Sequence, residues 1–538
     1  MKSITIKKLY KLHTWVGIIT GILLFVIAFS GAVAVFARPE LQIWANSAIR
    51  EPIPINPEQY HATLATLAQK VGPEYLDEVH VNFPRARSAE TARVIFEGHV
   101  LQPDGTEKHE GFVFELSPKD LRVIEKFDME TYFSTVRFDM ASFIAHFHAD
   151  LHLGRPVGLI LTGLLGLTLM VSIITGILIH RKKLAQIFTF RPDKSFSLLL
   201  SDGHKVMGIW GVAFHSVIAF TGAFLGLATV ILVPAAAYVG FNGDQEKLVE
   251  TFTAIKAPEI SHVQQETQIS EILSASKETR TDLTLTNFTV MGYGDKEALV
   301  YVFGTGSEQL GGETLVYQGA TGEYLRSQAN FGRLEGVTGK ILDAMFPLHF
   351  GNFAGIFVKV IWAWLGLAMA LLPISGIMLW QQRGIAAKNP SHSKRTYELV
   401  GRLLSGTCTG IVLATSVLFP VQLVCNHIMP SADETYLIFT AFFGVWGGAT
   451  LLGLFVRAKH SFRLLGMMSA LCLVSVMPLD IAFTGSHLFN VSTTHHNVSV
   501  GVDLTLFMLG LLSFYYLFYK GKTAGSIESP LIKAEGNK

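Results

Sequence analysis

The sequence predicts a polytopic α-helical membrane protein with about eight transmembrane helices and two small α+β domains, built by internal duplication. Three observations predict it. Of 538 residues, 50% are hydrophobic and only 16% charged, too apolar for a water-soluble chain of this length. Apolar runs long enough to cross a bilayer recur along it. The stretch Val26-Ile-Ala-Phe-Ser-Gly-Ala32 returns almost letter for letter as Val217-Ile-Ala-Phe-Thr-Gly-Ala223.

The repeat extends outward in register. His13 aligns with His204, Gly17 with Gly208, Ser30 with Thr221 and Gly31 with Gly222. Leu151-His-Leu-Gly154 with Gly158 resembles Leu348-His-Phe-Gly351 with Gly355, and Thr175-Gly-Ile177 resembles Ser375-Gly-Ile377. The unit is therefore helix, polar stretch, helix, present twice.

In chain order, residues 1–37 hold the first helix, over about Thr14–Phe36. Its apolar run exceeds an ordinary signal-peptide core and recurs internally, so it reads as a retained helix. Residues 38–145 are polar. An amphipathic helix near Pro57–Val71 precedes alternating strands near Glu78–Phe83, Ala92–Phe96, Gly111–Leu116 and Leu121–Phe127, with a turn at Pro103–Thr106. The second helix falls within 146–183 and the third within 204–234. Residues 240–345 repeat the polar domain, with a helix near Ile269–Ser276 and strands near Leu283–Val290, Ala298–Phe303 and Glu313–Tyr317. The fourth helix lies in 346–383, and 398–520 holds four more apolar runs.

Loop charge sets the orientation. Lys7, Lys8 and Lys11, then Arg181–Lys183, Arg383 with Lys388 to Arg395, Arg457 to Arg463, and Lys520 with Lys522 fall on one side. The positive-inside rule makes that side cytoplasmic, with both termini there and both polar domains periplasmic. A net charge of +1, with no basic run that suggests a DNA-binding surface, gives no reason to expect a nucleic-acid partner. Three cysteines in apolar segments, without a CxxC spacing, argue against a disulfide framework or a zinc site.

The histidines carry the chemistry. His13 and His204 stand at the inner ends of helices 1 and 3, each with a glycine four residues on and so on the same helix face. An axial imidazole beside a smooth strip suits a flat porphyrin. His152 and His349 lie near the outer ends of helices 2 and 4. His148 is one turn before His152, and Asp150 is placed to orient either ring. His180 marks the inner end of helix 2. His215 is deep in helix 3, where a mid-membrane imidazole needs a partner. The structural alternative is that interfacial histidines anchor helices and that glycines let them pack. On that reading Lys359 snorkels to the outer boundary. Asp480, behind Pro478, is a candidate proton or ion site, with a helix-end polar contact as its simpler role. His495-His496 reads as an outer loop.

Leu12-His-Thr-Trp-Val-Gly17 leading to Phe29-Ser-Gly31, its twin from His204 to Gly222, and the Leu-His-x-Gly starts of helices 2 and 4 resemble the PepSY-associated transmembrane helix family. The resemblance covers about residues 8–385 and makes the polar domains PepSY-like. It implies a bacterial inner-membrane protein of iron uptake, similar to ferric-siderophore reductases that hold haem b between histidines. The cofactor expected is two haem b groups. The outer tier would be His148 or His152 with His349, and the inner tier would draw on His13, His180 and His204; His215 is left without an assigned partner. Trp380 where helix 2 has His180, and Leu24 where helix 3 has His215, make the two halves unequal.

The expected activity is reduction of ferric, siderophore-bound iron on the periplasmic side, since reduction weakens binding by hard oxygen chelators. No dinucleotide or flavin fingerprint is visible, so the electron donor would be a membrane quinol or a separate reductase. The remaining partners are the bilayer and the ferric siderophore, and a homodimer is permitted. Two other classes fit the same sequence: a siderophore or metal permease, and a non-catalytic PepSY-type regulatory protein.

Overall fold

The structure, a computed structural model, describes residues 3–45, 54–84, 91–101, 107–134, 138–180, 190–191, 195–306, 310–329, 336–429, 433–485 and 494–520. Among these, eight helices are long and apolar enough to cross a membrane. The basic run Arg181–Lys183, Lys522 and the Pro103–Thr106 turn lie outside the described residues.

The first half begins with α1 (Ser3–Ala34). α2 (Pro57–Ala68) follows, opened by Pro57 and capped by the Asn56 side chain, which accepts the Gln59 N–H. The strands are β1 (Glu78–Asn82), β2 (Ala92–Leu101), β3 (Glu107–Leu116) and β4 (Val123–Asp128). Next come α3 (Met140–Asp150) and the spanning helix α4 (Val157–Ile179).

The second half repeats this order. α5 (Phe196–Trp210) and α6 (Val212–Leu227) are separated by an interruption at Gly211, and the apolar span that α6 begins runs from Val212 to Phe241. After α7 (Gln245–Thr253) and α8 (Ile269–Thr279) come β5 (Thr284–Met291), β6 (Leu299–Thr305), β7 (Gly312–Gln318) and β8 (Tyr324–Ala329). α9 (Gly336–Phe350) precedes the spanning helix α10 (Gly355–Ile385). The C-terminal region is α11 (Lys394–His427), α12 (Glu434–Phe455), α13 (Ala458–Thr484) and α14 (Thr494–Tyr515). His495 and His496, expected in a loop, fall inside α14. α7 and β8 are elements the sequence reading missed.

The two polar segments do not make two separate sheets. All eight strands form one antiparallel sheet in the order β4-β3-β2-β1-β5-β6-β7-β8. The seam is β1 against β5, with Glu78 opposite Met291, His80 opposite Thr289 and Asn82 opposite Asn287. An unpaired first strand would leave each half with an open edge of backbone donors and acceptors, and pairing them removes both edges. α2 and α8 pack on one face, where Tyr60, Leu64, Val79, Val81, Leu273 and Phe288 share a single apolar core.

Below the sheet, α1 packs on α4 and α10, α4 on α6, and α5 on α10, so the four repeated spans form a ring. The second spanning helix, expected within 146–183, is α4, and the end of a separate helix, α3, precedes it there. α3 stops at Leu151, which takes a left-handed conformation (φ 57), and α4 begins at Val157. Likewise α9 ends at Phe350 before Gly351 (φ 66), and α10 starts at Gly355. Gly351 stands where the chain needs positive φ. α3 and α9 are thus short helices that carry histidines back over the outer ends of the ring.

Candidate functional site: two histidine pairs

Four of the seven predicted histidines come together in two pairs. At the end of the bundle nearer the sheet, the rings of His148 (α3) and His349 (α9) lie 6.0 Å apart between centres, inclined by 25°. At the far end, His13 (α1) and His204 (α5) are 6.3 Å apart and inclined by 82°. Each pair takes one ring from each half of the repeat.

The protein holds every one of these rings by Nδ1. His13 Nδ1 reaches Thr175 Oγ1 at 3.0 Å and the Ser172 carbonyl at 3.1 Å. His204 Nδ1 reaches Ser375 Oγ at 2.9 Å. His148 Nδ1 reaches the Ile27 carbonyl at 3.0 Å and Ser30 Oγ at 3.3 Å. His349 Nδ1 reaches Thr221 Oγ1 at 2.9 Å. The four hydroxyls donate their own protons to backbone carbonyls on their own helices: Thr175 to Val171, Ser375 to Leu372, Ser30 to Ile27 and Thr221 to Val217. They can therefore only accept from the imidazoles. That fixes the proton on Nδ1 in all four and leaves the Nε2 lone pair for a ligand.

A glycine follows each hydroxyl and lies under the ring it holds. A Cβ at Gly31 would meet His148 Cε1 at 2.7 Å, at Gly222 His349 Cε1 at 3.2 Å, at Gly176 His13 Cε1 at 3.4 Å and at Gly376 His204 Cε1 at 3.5 Å. The Ser/Thr-Gly dipeptides recurring in the four helices are therefore histidine cradles. The sequence showed them as a repeat but gave no sign of which histidine each would hold.

These residues fit a haem. An imidazole nitrogen binds a transition metal at about 2.0–2.1 Å, and roughly 1.1 Å more reaches the ring centre, so two axial imidazoles on one iron have centres roughly 6.3 Å apart. Both pairs match that spacing, and Nδ1 held by an acceptor is the usual support of a metal-bound imidazole. One turn beyond His13, a Cβ at Gly17 would meet no other atom within 4 Å, and one at Gly208 would meet only Leu372 Cδ2, at 3.8 Å.

The other predicted histidines are placed differently. His152 is not the partner of His349. It lies past the end of α3, with its Nε2 on the Phe143 carbonyl at 3.0 Å and its ring against Phe143 and Phe439. Aligning the two Leu-His-x-Gly stretches pointed to a residue one helical turn too late, because α3 ends earlier relative to that motif than α9 does. Asp150 accepts the His152 backbone N–H at 2.9 Å. His180 caps the C-terminal end of α4.

His215 is buried in α6, with 1% of its surface exposed, and its ring fills the space at Gly211 where the helix is interrupted. Its Nε2 is buried without a hydrogen-bond partner, and among the described residues no second histidine ring lies against it.

One further expectation is corrected by geometry. Lys359 does not snorkel: its Nζ bonds Glu40 Oε2 and the Arg38 carbonyl, each at 2.6 Å, and the residue is 4% exposed. Asp480 is buried in α13, and Asp503 Oδ1 of α14 accepts Trp44 Nε1–H at 2.8 Å.

Comparison with known proteins places this arrangement. The description "PepSY-associated TM region" matches residues 10–383. The chain belongs to this family. The match spans both helix–sheet–helix repeats, with all four paired histidines inside it, and α11–α14 lie beyond it. The chain is also similar to an uncharacterised protein of Pseudomonas aeruginosa, 24% identical over 416 residues that make up 73% of this chain and 98% of that protein.

Proposed function

We propose that this family member is an inner-membrane reductase holding two haem b groups, which carries electrons across the membrane to ferric, siderophore-bound iron on the periplasmic side. The observation that carries the proposal is the pair of histidine pairs. Each has the spacing of axial ligands and a fixed Nδ1–H tautomer, and they stand at opposite ends of one bundle. Eighteen residues separate His13 from Gly31 on α1, about 27 Å at ~1.5 Å per residue, close to the ~30 Å hydrocarbon thickness of a bilayer.

His13 with His204, and His148 with His349, would hold the two haem groups. Haem so held would supply one-electron exchange, chemistry that no side chain here can perform. The chain's own work is to keep each Nε2 lone pair aimed inward through Thr175, Ser375, Ser30 and Thr221. Its apolar helices keep water from the path. A quinol would deliver two electrons and release two protons, enough for two ferric ions at one electron each. His215, between the tiers with an orphaned Nε2, is proposed to contribute a polar contact to the same path.

The absorption spectrum of purified protein tests this. A dithionite-reduced Soret and α band, with two haems per chain, is the expected result. His13→Ala and His349→Ala should each remove one of the two. Absence of haem after haem-supplemented expression would overturn the reading in favour of a permease or a regulatory protein.

A further inference from the structure

A second cluster of metal-type donors lies on the sheet, far in sequence from the cradled histidines. Val79 and Val81 of β1 point into the core under α2 and α8, so Glu78 and His80 occupy the opposite face. Glu97 of β2 is directly opposite Glu78 in the ladder. His80 Nε2 lies 2.7 Å from Glu97 Oε1 and 3.3 Å from Glu78 Oε2. One donor atom from each of the three residues falls within 4.8 Å of the others. The His80 ring is steadied from the other half of the repeat, where Thr289 Oγ1 of β5 meets Nδ1 at 2.9 Å.

The surroundings extend the donor set. One position along the same face, His99 of β2 and His109 of β3 are paired, with Nε2 atoms 2.6 Å apart. Asp77 Oδ2 is 3.8 Å from His99 Nδ1. The side chains of His80, Glu78 and Glu97 are 31%, 21% and 16% exposed, so a hydrated ion can reach them.

We propose that Glu78, His80 and Glu97 bind a divalent first-row transition-metal ion, with His99 and His109 as neighbouring imidazole donors. One imidazole and two carboxylates form a nitrogen–oxygen set without thiolate, which suits zinc, ferrous or manganous ions and not cuprous copper. The site is read from the sheet alone and does not rest on the haem reading. Ferrous iron belongs to the same class, so a reductase releasing it on this side of the membrane has an acceptor ready.

The competing explanation is an ion pair of protonated His80 with two glutamates, which binds no metal. The test uses full-length, untagged protein in detergent, stripped with a chelator. Zn2+ is titrated by equilibrium dialysis and elemental analysis, and Co2+ by its visible absorption. One equivalent of tightly held ion is expected. Its affinity should fall about tenfold or more in His80→Gln and in Glu78→Gln/Glu97→Gln, with helical circular dichroism retained. The conservative Glu97→Asp guards against a variant that fails to fold, and it should weaken binding less than Glu97→Gln. Equal binding in wild type and His80→Gln overturns the site, as does binding lost only in His99→Gln/His109→Gln.

Discussion

Gly31 and His148 are in direct register: a Cβ at Gly31 would meet the imidazole Cε1 at 2.7 Å, so this ring occupies the space a side chain there would need. Gly31→Ala must therefore push His148 off its Ile27 and Ser30 partners. The four cradles are not equally tight, and a graded series follows. Gly31→Ala should strip haem from the outer pair and Gly222→Ala should weaken it. Gly176→Ala and Gly376→Ala, whose contacts would be ordinary at 3.4 and 3.5 Å, should leave haem content unchanged. Haem per protein across the four variants measures the order.

Thr221 and Ser375 hold imidazole protons with hydroxyls already committed to backbone carbonyls. Thr221→Val keeps the shape and removes the acceptor, leaving the His349 Nδ1–H unbonded in an apolar site. Loss of such a supporting partner costs roughly 10–100-fold in metal affinity. The expected result is weaker haem retention and a shifted reduction potential, with Thr221→Ser restoring both. An unchanged potential in Thr221→Val would show that the hydroxyl does not tune the ligand.

The two candidates for the outer partner of His349 separate cleanly. His148→Ala should lose the outer haem. His152→Ala should keep it while lowering stability by about 0.5–1.5 kcal/mol, the usual net worth of one hydrogen bond such as that from His152 to the Phe143 carbonyl. Spectra and thermal melts of the two variants should move in opposite measures.

The charge on His80 gives a pH dependence. Burial opposes its protonation, but Glu78 and Glu97 outweigh that and raise its pKa from 6.5 to about 9. A folded-state pKa above the unfolded value stabilises the fold when the group is protonated. The contribution is complete below about 6.5 and disappears as pH rises through about 9. In chelator-treated protein, the melting temperature gap between wild type and His80→Gln should be widest below about pH 6.5 and close towards pH 10.

Lys359 and Glu40 form a buried pair, with 5% and 15% of their side chains exposed. Removing one partner leaves the other unpaired, at a cost of about 3–5 kcal/mol. Lys359→Met should destabilise the protein sharply, and Lys359→Met/Glu40→Gln should recover much of the loss in detergent unfolding assays.

Spans, strands and repeat were readable because each leaves a local trace: apolar length, period-two alternation, matching letters. The same repeat marked His13 and His204 as inner-tier candidates beside His180, without saying which two would pair. The outer pair did not follow from it, because His148 and His349 occupy different positions relative to their helix ends, and only backbone geometry reveals where α3 stops. The cradles were visible as Ser/Thr-Gly but not as partners of histidine, since each bond joins different helices; Ser375 lies 171 residues from His204. The β1–β5 seam has no local trace at all, because either strand alone reads as an ordinary edge.

That seam sets an order of events during synthesis. β1 to β4 can pair as soon as they emerge, but the free side of β1 must wait for β5, which starts about 200 residues after β1 ends. At ~5–20 residues per second, the delay is roughly 10–40 s. Throughout it the nascent chain carries an unsealed strand beside a membrane crowded with other nascent chains. The first half is thus born adhesive, and its safety depends on how promptly its own twin arrives.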